Sequence, residues 1–241
     1  MSEERSGNIG DAQRRGLVGD EALPDEPAAE PAALGDEVSS LRMILTLGAA
    51  GALAGLLIVM VFNATLPAIE AHRAEAVRLA VTEVLQQPAR YEALSVTEAG
   101  LVELPREDVQ PANAVLVYVG FDEGGRATGV AVTAAEAGFQ DIVGLIYGFD
   151  PQSGTLLGMK VLESKETPGL GDKIQKDARF VAQFAGARPP LEAVKRPKGE
   201  EGEIDSITGA TISSRAVVRI INNSLERLRP RIEAHFQEVV R

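Results

Sequence analysis

The sequence contains no cysteine among its 241 residues and only two histidines. Without cysteine there can be no disulfide, no thiolate-ligated zinc, no iron–sulfur cluster and no cysteine nucleophile. The two histidines, His72 and His235, lie far apart and lack the spacing of metal ligands, so no metal site is expected. If the protein moves electrons, an organic cofactor must carry them.

Basic residues are outnumbered, and the formal net charge is −11. Nucleic acid is therefore not an expected partner, because its binding relies on Lys and Arg neutralising phosphates. Much of the negative charge lies in residues 1–42, where ten acids stand against four arginines. This stretch is rich in Ala, Pro and Gly and has no sustained apolar period, so we predict a disordered acidic tail.

A charge-free apolar run extends over residues 43–62. Twenty residues at a rise of about 1.5 Å each match a hydrocarbon core of about 30 Å, which predicts one transmembrane helix. Arg42 precedes the run, while Arg73 and Arg78 follow it at some distance. The balance of flanking positive charge does not decide the orientation.

The rest of the chain is long enough for one domain, predicted over residues 91–230 and preceded by a juxtamembrane helix over 63–90. Runs with strand character predict two β-hairpins, 114–120 with 128–133 and 141–149 with 155–163.

Two further helices are predicted in this domain. One is amphipathic, spans 172–184 and is capped by Asp172. The other starts near Thr211 and loses order near Pro230, ahead of a C-terminal tail over 231–241. The expected fold class is α+β, with a mostly antiparallel sheet and packed helices.

The first motif with chemical content is DSITGATISS, residues 205–214. Gly209 and Ala210 are expected to form a compact turn that exposes the Thr211 hydroxyl at a helix N-terminus. Free backbone N–H groups and the helix dipole favour a phosphate at such a position. From the residues alone, an ordinary turn and N-cap, with Ser213 in the first helical turn, is the favoured explanation, because a hydroxyl near a helix start is common.

The second motif is ETPGLG, residues 166–171, between a predicted strand and a predicted helix. Pro168 stiffens the turn, while Gly169 and Gly171 allow the backbone to approach a neighbour closely, as a loop covering a flat ring requires. An ordinary strand-to-helix loop is the alternative. Lys198, in a small basic cluster, is a candidate to meet an anionic ligand, unless that cluster is simply solvated.

Together the two motifs resemble those of the FMN-binding domain in the G subunit of Rnf-type electron transport complexes and in the C subunit of sodium-pumping NADH:quinone oxidoreductases. The resemblance implies that Thr211 is esterified to the phosphate of FMN by a separate flavin transferase, which uses FAD and magnesium. Asp205 would be read by that transferase or assist its chemistry. The expected cofactor-binding residues are Thr211, Asp205, Thr208, Gly209, Ala210, Ser213, Glu166, Thr167, Pro168, Gly169, Leu170, Gly171 and Lys198.

The implied function is an electron relay in a membrane-bound ferredoxin:NAD oxidoreductase that translocates ions, with other membrane subunits as partners. The expected location is the bacterial inner membrane, with the FMN domain on the extracytoplasmic side. No complete enzymatic activity is expected of the chain alone. The alternatives are the C-type subunit of the sodium-pumping quinone reductase, another single-span flavinylated carrier, and a flavin-free anchored binding or assembly module.

Overall fold

The computed structural model describes residues 39–97, 100–104 and 115–239. The predicted acidic tail lies outside the described residues, apart from residues 39–42 at the start of the first helix. The chain divides into two compact units after Met60. The described secondary structure comprises helices α1 Ser40–Val84, α2 Lys173–Lys176, α3 Ala178–Ala182 and α4 Thr211–Val239, and strands β1 Arg90–Thr97, β2 Gly100–Glu103, β3 Leu116–Phe121, β4 Ala127–Ala137, β5 Ile142–Asp150, β6 Thr155–Ser164, β7 Glu192–Val194 and β8 Glu203–Asp205.

The first unit contains the apolar part of α1. Its side chains are exposed, including large ones such as Leu53, Leu56 and Ile58. By length and composition, α1 can cross a membrane. Apolar residues on every side of a helix are stable only where lipid or protein surrounds them.

The second unit is built on a six-stranded antiparallel sheet in the order β2-β1-β3-β4-β5-β6. Both predicted hairpins are present, as β3 with β4 and β5 with β6. Strands β1 and β2 extend the sheet at one edge, and β7 and β8 form a separate parallel pair. The predicted α+β class is confirmed.

Both faces of the central strands are buried, because a helix covers each face. Along β3, Val117 and Val119 face the cluster that contains α4, whereas Leu116 and Tyr118 face the end of α1. This alternation follows from the two-residue period of a strand. The two helices thus sandwich the sheet, and α4 is fixed firmly enough to position a site at its start.

Two predicted helix ends were wrong. Helix α1 ends at Val84 and β1 begins at Arg90, so the helix predicted over 63–90 is too long; Gln86 and Gln87 have positive φ angles of 57° and 62°, which end the helix. At the other terminus, α4 continues through Pro230 to Val239.

Burial explains why α4 continues past its proline. An internal proline costs a helix about 3 kcal/mol. Ile232 and Phe236 lie beyond Pro230 and are 0% and 4% exposed. Burying each such side chain contributes about 1.5–3 kcal/mol, enough to offset that cost. Residues 231–239 are therefore part of the core-forming helix and not of a tail.

The predicted helix over 172–184 is divided into α2 and α3. Asp172 has helical backbone angles and makes no capping hydrogen bond through its side chain, contrary to prediction. Asp177 instead caps α3 by accepting from the Arg179 N–H at 3.0 Å and the Phe180 N–H at 3.4 Å. The predicted apolar face is nevertheless present, because Ile174 and Phe180 are both buried.

Candidate functional site

The turn before α4 is held by hydrogen bonds that place Thr211 at the start of the helix. Gly209 has a φ of 84°, in the left-handed region that favours glycine. The Ala210 N–H donates to the Ile207 carbonyl at 2.9 Å. The Ser214 hydroxyl donates to the Ala210 carbonyl at 2.9 Å and accepts from the Ile207 N–H at 3.1 Å. Thr211 is the first residue of α4, and it is half-buried.

A helix start of this kind favours an anion. The first N–H groups of a helix have no intrahelical carbonyl to donate to, because no helical turn precedes them. They lie at the positive end of the helix dipole. A phosphate attached to Thr211 would lie beside these groups. The local structure thus has the polarity that a phosphate ester at this hydroxyl requires.

The ETPGLG segment forms a tight loop after β6. The Leu170 N–H donates to the Thr167 carbonyl at 3.1 Å, and the Asp172 N–H donates to the same carbonyl at 3.3 Å. Gly169 has a φ of 78°, so this position needs glycine for the loop to turn.

The two motifs are in direct contact, although more than 30 residues separate them in the chain. The Ser213 hydroxyl donates to Glu166 Oε2 at 2.6 Å. A Cβ on Gly171 would lie 2.7 Å from Glu166 Oε2 and 2.9 Å from Ser213 Oγ, so no larger residue fits there without displacement. A Cβ on Gly209 would lie 3.6 Å from Leu170 Cδ2, which is ordinary van der Waals contact.

A third segment, the connection between β4 and β5, joins them. Glu166 Oε1 accepts from the Phe139 N–H at 2.8 Å and from the Gln140 N–H at 3.0 Å. The Thr167 hydroxyl donates to Gln140 Oε1 at 2.9 Å. The Glu166 carboxylate therefore joins its own loop to the start of α4 through Oε2, and to the connection between β4 and β5 through Oε1.

Glu166 is ionised at neutral pH. Burial acts to raise the pKa of its carboxyl, but the hydrogen bonds from the Ser213 hydroxyl and from the N–H groups of Gln140 and Phe139 hold that pKa below its ordinary value. The side chain is a carboxylate that accepts hydrogen bonds at both oxygens.

These three segments enclose a groove of about 280 Å³. Three large apolar side chains at the groove remain exposed, namely Phe139 at 63%, Leu170 at 50% and Ile212 at 56%. The groove is lined by Phe139, Glu166, Thr167, Leu170, Gly171, Gly209, Ala210, Thr211, Ile212 and Ser213. An apolar rim over a polar floor suits a ligand with a flat aromatic body and an anionic end.

Most of the residues expected to bind the cofactor are brought together in this groove. Eight of the sequence-predicted residues line it: Thr211, Gly209, Ala210, Ser213, Glu166, Thr167, Leu170 and Gly171. The remaining five are described by the structure but are not part of its lining: Asp205, Thr208, Pro168, Gly169 and Lys198.

The polar residues among those five have other surroundings. The backbone N–H of Asp205 donates to Gln183 Oε1 at 2.7 Å, and its side chain is exposed at the end of β8. Thr208 is exposed in the turn. Lys198 lies in a loop where its backbone N–H donates to Glu203 Oε2 at 2.6 Å. This placement gives no support to Lys198 as a phosphate ligand.

Sequence reasoning missed several residues at the site. Phe139 and Gln140 lie between the two predicted hairpins, in a segment without a motif that would single them out. Ile212 occupies an exposed helix position, where an apolar residue is unexpected. Arg215 is not among the residues that line the groove, but it lies one helical turn after Thr211 on the same face of α4, a spacing that the sequence shows.

Residues 138–226, which include every residue that lines this groove, match the family model described as FMN-binding domain. The chain is 30% identical over 193 residues to the G subunit of the ion-translocating oxidoreductase complex of Methanosarcina acetivorans, covering 80% of this chain and 96% of that protein. This chain belongs to the family formed by the G subunits of ion-translocating oxidoreductase complexes.

Other relatives agree with this assignment. The G subunit of the ion-translocating oxidoreductase complex of Vibrio vulnificus is 39% identical over 106 residues, which is 42% of this chain and 50% of that protein. The solved structure of NqrC from Shewanella oneidensis superposes with a TM-score of 0.58 at 16% identity, covering 68% of this chain and 99% of that one. That likeness establishes the shared fold.

Proposed function

We propose that this chain carries FMN covalently on Thr211 and relays electrons in a membrane-bound ion-translocating ferredoxin:NAD oxidoreductase. The observation that carries the proposal is the meeting of the two motifs in one groove. Thr211 is the first residue of the 29-residue helix α4. The ETPGLG loop lies against the first turn of this helix through the Ser213–Glu166 hydrogen bond.

The exposure of the groove supports a covalent link. Sites that hold a drug-sized ligand without a covalent bond have volumes of about 300–1,000 Å³ and bury most of the ligand. At about 280 Å³, this groove lies at the small end of that range, and its apolar side chains Phe139, Leu170 and Ile212 remain exposed. A phosphodiester to Thr211 would keep the cofactor in place despite its exposure.

The residues present fit both ends of the cofactor. The first turn of α4 would stabilise the phosphate through its N–H groups, and Arg215 would add a positive charge. Among the described residues, no hydrogen bond or ion pair engages the Arg215 side chain, so it is free to do this. Phe139, Leu170 and Ile212, whose apolar side chains are exposed at the groove, would supply apolar contact for the ring.

A flavin can exchange electrons singly or in pairs, so the cofactor supplies the redox chemistry. The chain's own residues bind and orient it. The groove leaves one side open, which would allow a redox partner to approach the ring closely.

The exposed residues of the first motif suit a role in maturation. Asp205 and Thr208 are exposed, so a flavin transferase could read them. We place the domain, predicted over 91–230, on the extracytoplasmic side of the bacterial inner membrane with α1 as its anchor. The other membrane subunits of the complex would be its partners.

Co-expression of the full-length chain with a flavin transferase tests the attachment. After denaturing electrophoresis, we expect ultraviolet flavin fluorescence on the wild-type band. Thr211→Ala should abolish it, because no hydroxyl remains to be esterified, and Thr211→Ser should retain it as the matched control.

A colourless wild-type band would contradict covalent FMN. Fluorescence that persists in Thr211→Ala would place the flavin on a different residue. For the topology, a reporter that is active only in the cytoplasm and is fused after Arg241 should be silent, and activity would overturn the extracytoplasmic placement.

A further inference from the structure

Glu166 is a buried charge among the described residues that line the groove. Glu166 is 4% exposed, and both of its carboxylate oxygens accept hydrogen bonds. Its ionised state costs solvation energy, which is offset by the three donors and by the nearby N-terminus of α4. Within the described part of the chain, no Lys or Arg forms an ion pair with it. The negative charge is hydrogen-bonded but not neutralised by a cation.

The space around Glu166 is tailored to its carboxylate. Cβ atoms added to Gly138 and to Gly171 would both collide with its oxygens, the second at 2.7 Å from Oε2. Two glycines on separate segments thus leave room for this one side chain. Such a close fit fixes the position of Glu166 relative to the groove.

We propose that Glu166 is a positioning residue that fixes the three groove segments around the flavin, and that its fixed negative charge lowers the midpoint potential of that flavin. This inference rests on the proposed function, since it requires FMN in the groove. A nearby negative charge opposes the gain of electrons by the ring, and the effect is strong where water is partly excluded.

The substitution Glu166→Gln separates charge from shape. The glutamine oxygen can accept from the Phe139 and Gln140 N–H groups, while its amide can donate to the Ser213 hydroxyl, which also accepts hydrogen bonds. The groove should keep its form without the charge. Glu166→Ala removes both.

Glu163→Gln is the matched control. Glu163 precedes Glu166 by three residues, but it is exposed and pairs with Arg73 at 2.5 Å. It is not among the residues that line the groove.

The test is a redox titration of the full-length flavinylated protein in detergent, followed by flavin absorbance. For Glu166→Gln we expect the equilibrium for reduction to shift at least tenfold toward the reduced flavin, equivalent to about 30 mV upward for a two-electron couple. Glu163→Gln should leave the potential at the wild-type value. An unchanged potential in Glu166→Gln would overturn the electrostatic role.

Hydrogen exchange on the protein without flavin tests the positioning role independently. The amides of Phe139 and Gln140 should be protected in wild type and in Glu166→Gln, and should exchange at least tenfold faster in Glu166→Ala. Equal protection in all three proteins would overturn the positioning role. If Glu166→Ala does not fold, unprotected amides in a folded Glu166→Gln would overturn it instead.

Flavin content distinguishes the failure of this inference from that of the proposed function. If wild type itself takes up no flavin, the proposed function fails first. If wild type is flavinylated but a folded Glu166→Gln is not, the charge acts in attachment and the inference about the potential is overturned.

Discussion

Gly171 offers a direct test of the groove geometry, because its substitution by alanine places one methyl group among fixed atoms. The added Cβ would lie 2.7 Å from Glu166 Oε2, 2.8 Å from Glu166 Cβ and 2.9 Å from Ser213 Oγ. These neighbours cannot easily yield, since Glu166 and Ser213 are bound to each other at 2.6 Å. The two motifs must therefore move apart.

The expected cost follows from two effects. Overpacking of this kind lowers the free energy of unfolding by about 1–3 kcal/mol. Loss of a hydrogen bond to a charged group removes about 1.5–3 kcal/mol more. For a unit of this size, even a loss of about 2 kcal/mol lowers Tm by about 4–8 °C.

The assay is thermal unfolding of the full-length chain in detergent, followed by circular dichroism, with flavin fluorescence measured on the same preparations. We expect Gly171→Ala to lower Tm and to reduce flavin attachment. Gly158→Ala is the control, because a Cβ at Gly158 would meet only the Val84 Cα, at 3.8 Å. A Gly171→Ala protein with the Tm of wild type would refute the described contact between the motifs.

Three further predictions concern the same site. Ser213→Ala leaves Glu166 Oε2 without its hydroxyl donor, so the free energy of unfolding should fall by about 1.5–3 kcal/mol in thermal or urea unfolding, and a loss below about 0.5 kcal/mol would contradict this. Because the folded-state pKa of Glu166 is depressed, its contribution to stability is present above its ordinary value of 4.5 and is lost as pH falls through the lower folded pKa. Melting curves from pH 6 to about pH 3 should therefore decline less steeply for Glu166→Gln than for wild type, and parallel declines would count against an ionised Glu166. Arg215→Gln should lower the yield of flavin attachment several-fold, whereas Arg231→Gln, further along α4, should not; equal yields would remove Arg215 from the phosphate environment.

Local patterns made much of this fold predictable. The apolar runs and the turn residues of the two hairpins are encoded within short stretches, and the structure has both hairpins. The α4 periodicity was likewise visible. Its length was not, because the stabilisation of Ile232 and Phe236 depends on a core assembled from distant strands. The expectation that a helix ends near a proline considers only local sequence, so it leaves out the stabilisation from this burial.

The edges of the domain were harder to predict for a related reason. Strand β2 has only four residues and lies at the edge of the sheet, and most residues of its neighbour β1 are half-buried, so both strands carry a weaker apolar pattern than the buried centre. Asp172 matched an N-cap in sequence, but Asp177 is the residue whose carboxylate meets free N–H groups. Asp172 and Asp177 are both residues that favour an N-cap, so the sequence alone did not distinguish them.

The two motifs predicted most of the residues that line the groove, but not which contacts each residue makes. Glu166 lines the groove with much of its loop, as the motif predicts, but the motif does not show that its carboxylate bonds Ser213 and the segment at Phe139. That segment has no recognisable motif, and only the tertiary structure brings it to the groove. Residues that act through such contacts are invisible to local sequence reasoning.

The central claim is that FMN is esterified to Thr211, and mass spectrometry of proteolytic fragments tests it most directly. After co-expression with a flavin transferase, the fragment containing Thr211 should gain the mass of FMN less one water, and fragmentation should assign that mass to Thr211. An unmodified Thr211 in a protein that holds flavin, or the added mass on another residue such as Thr208, would contradict the account.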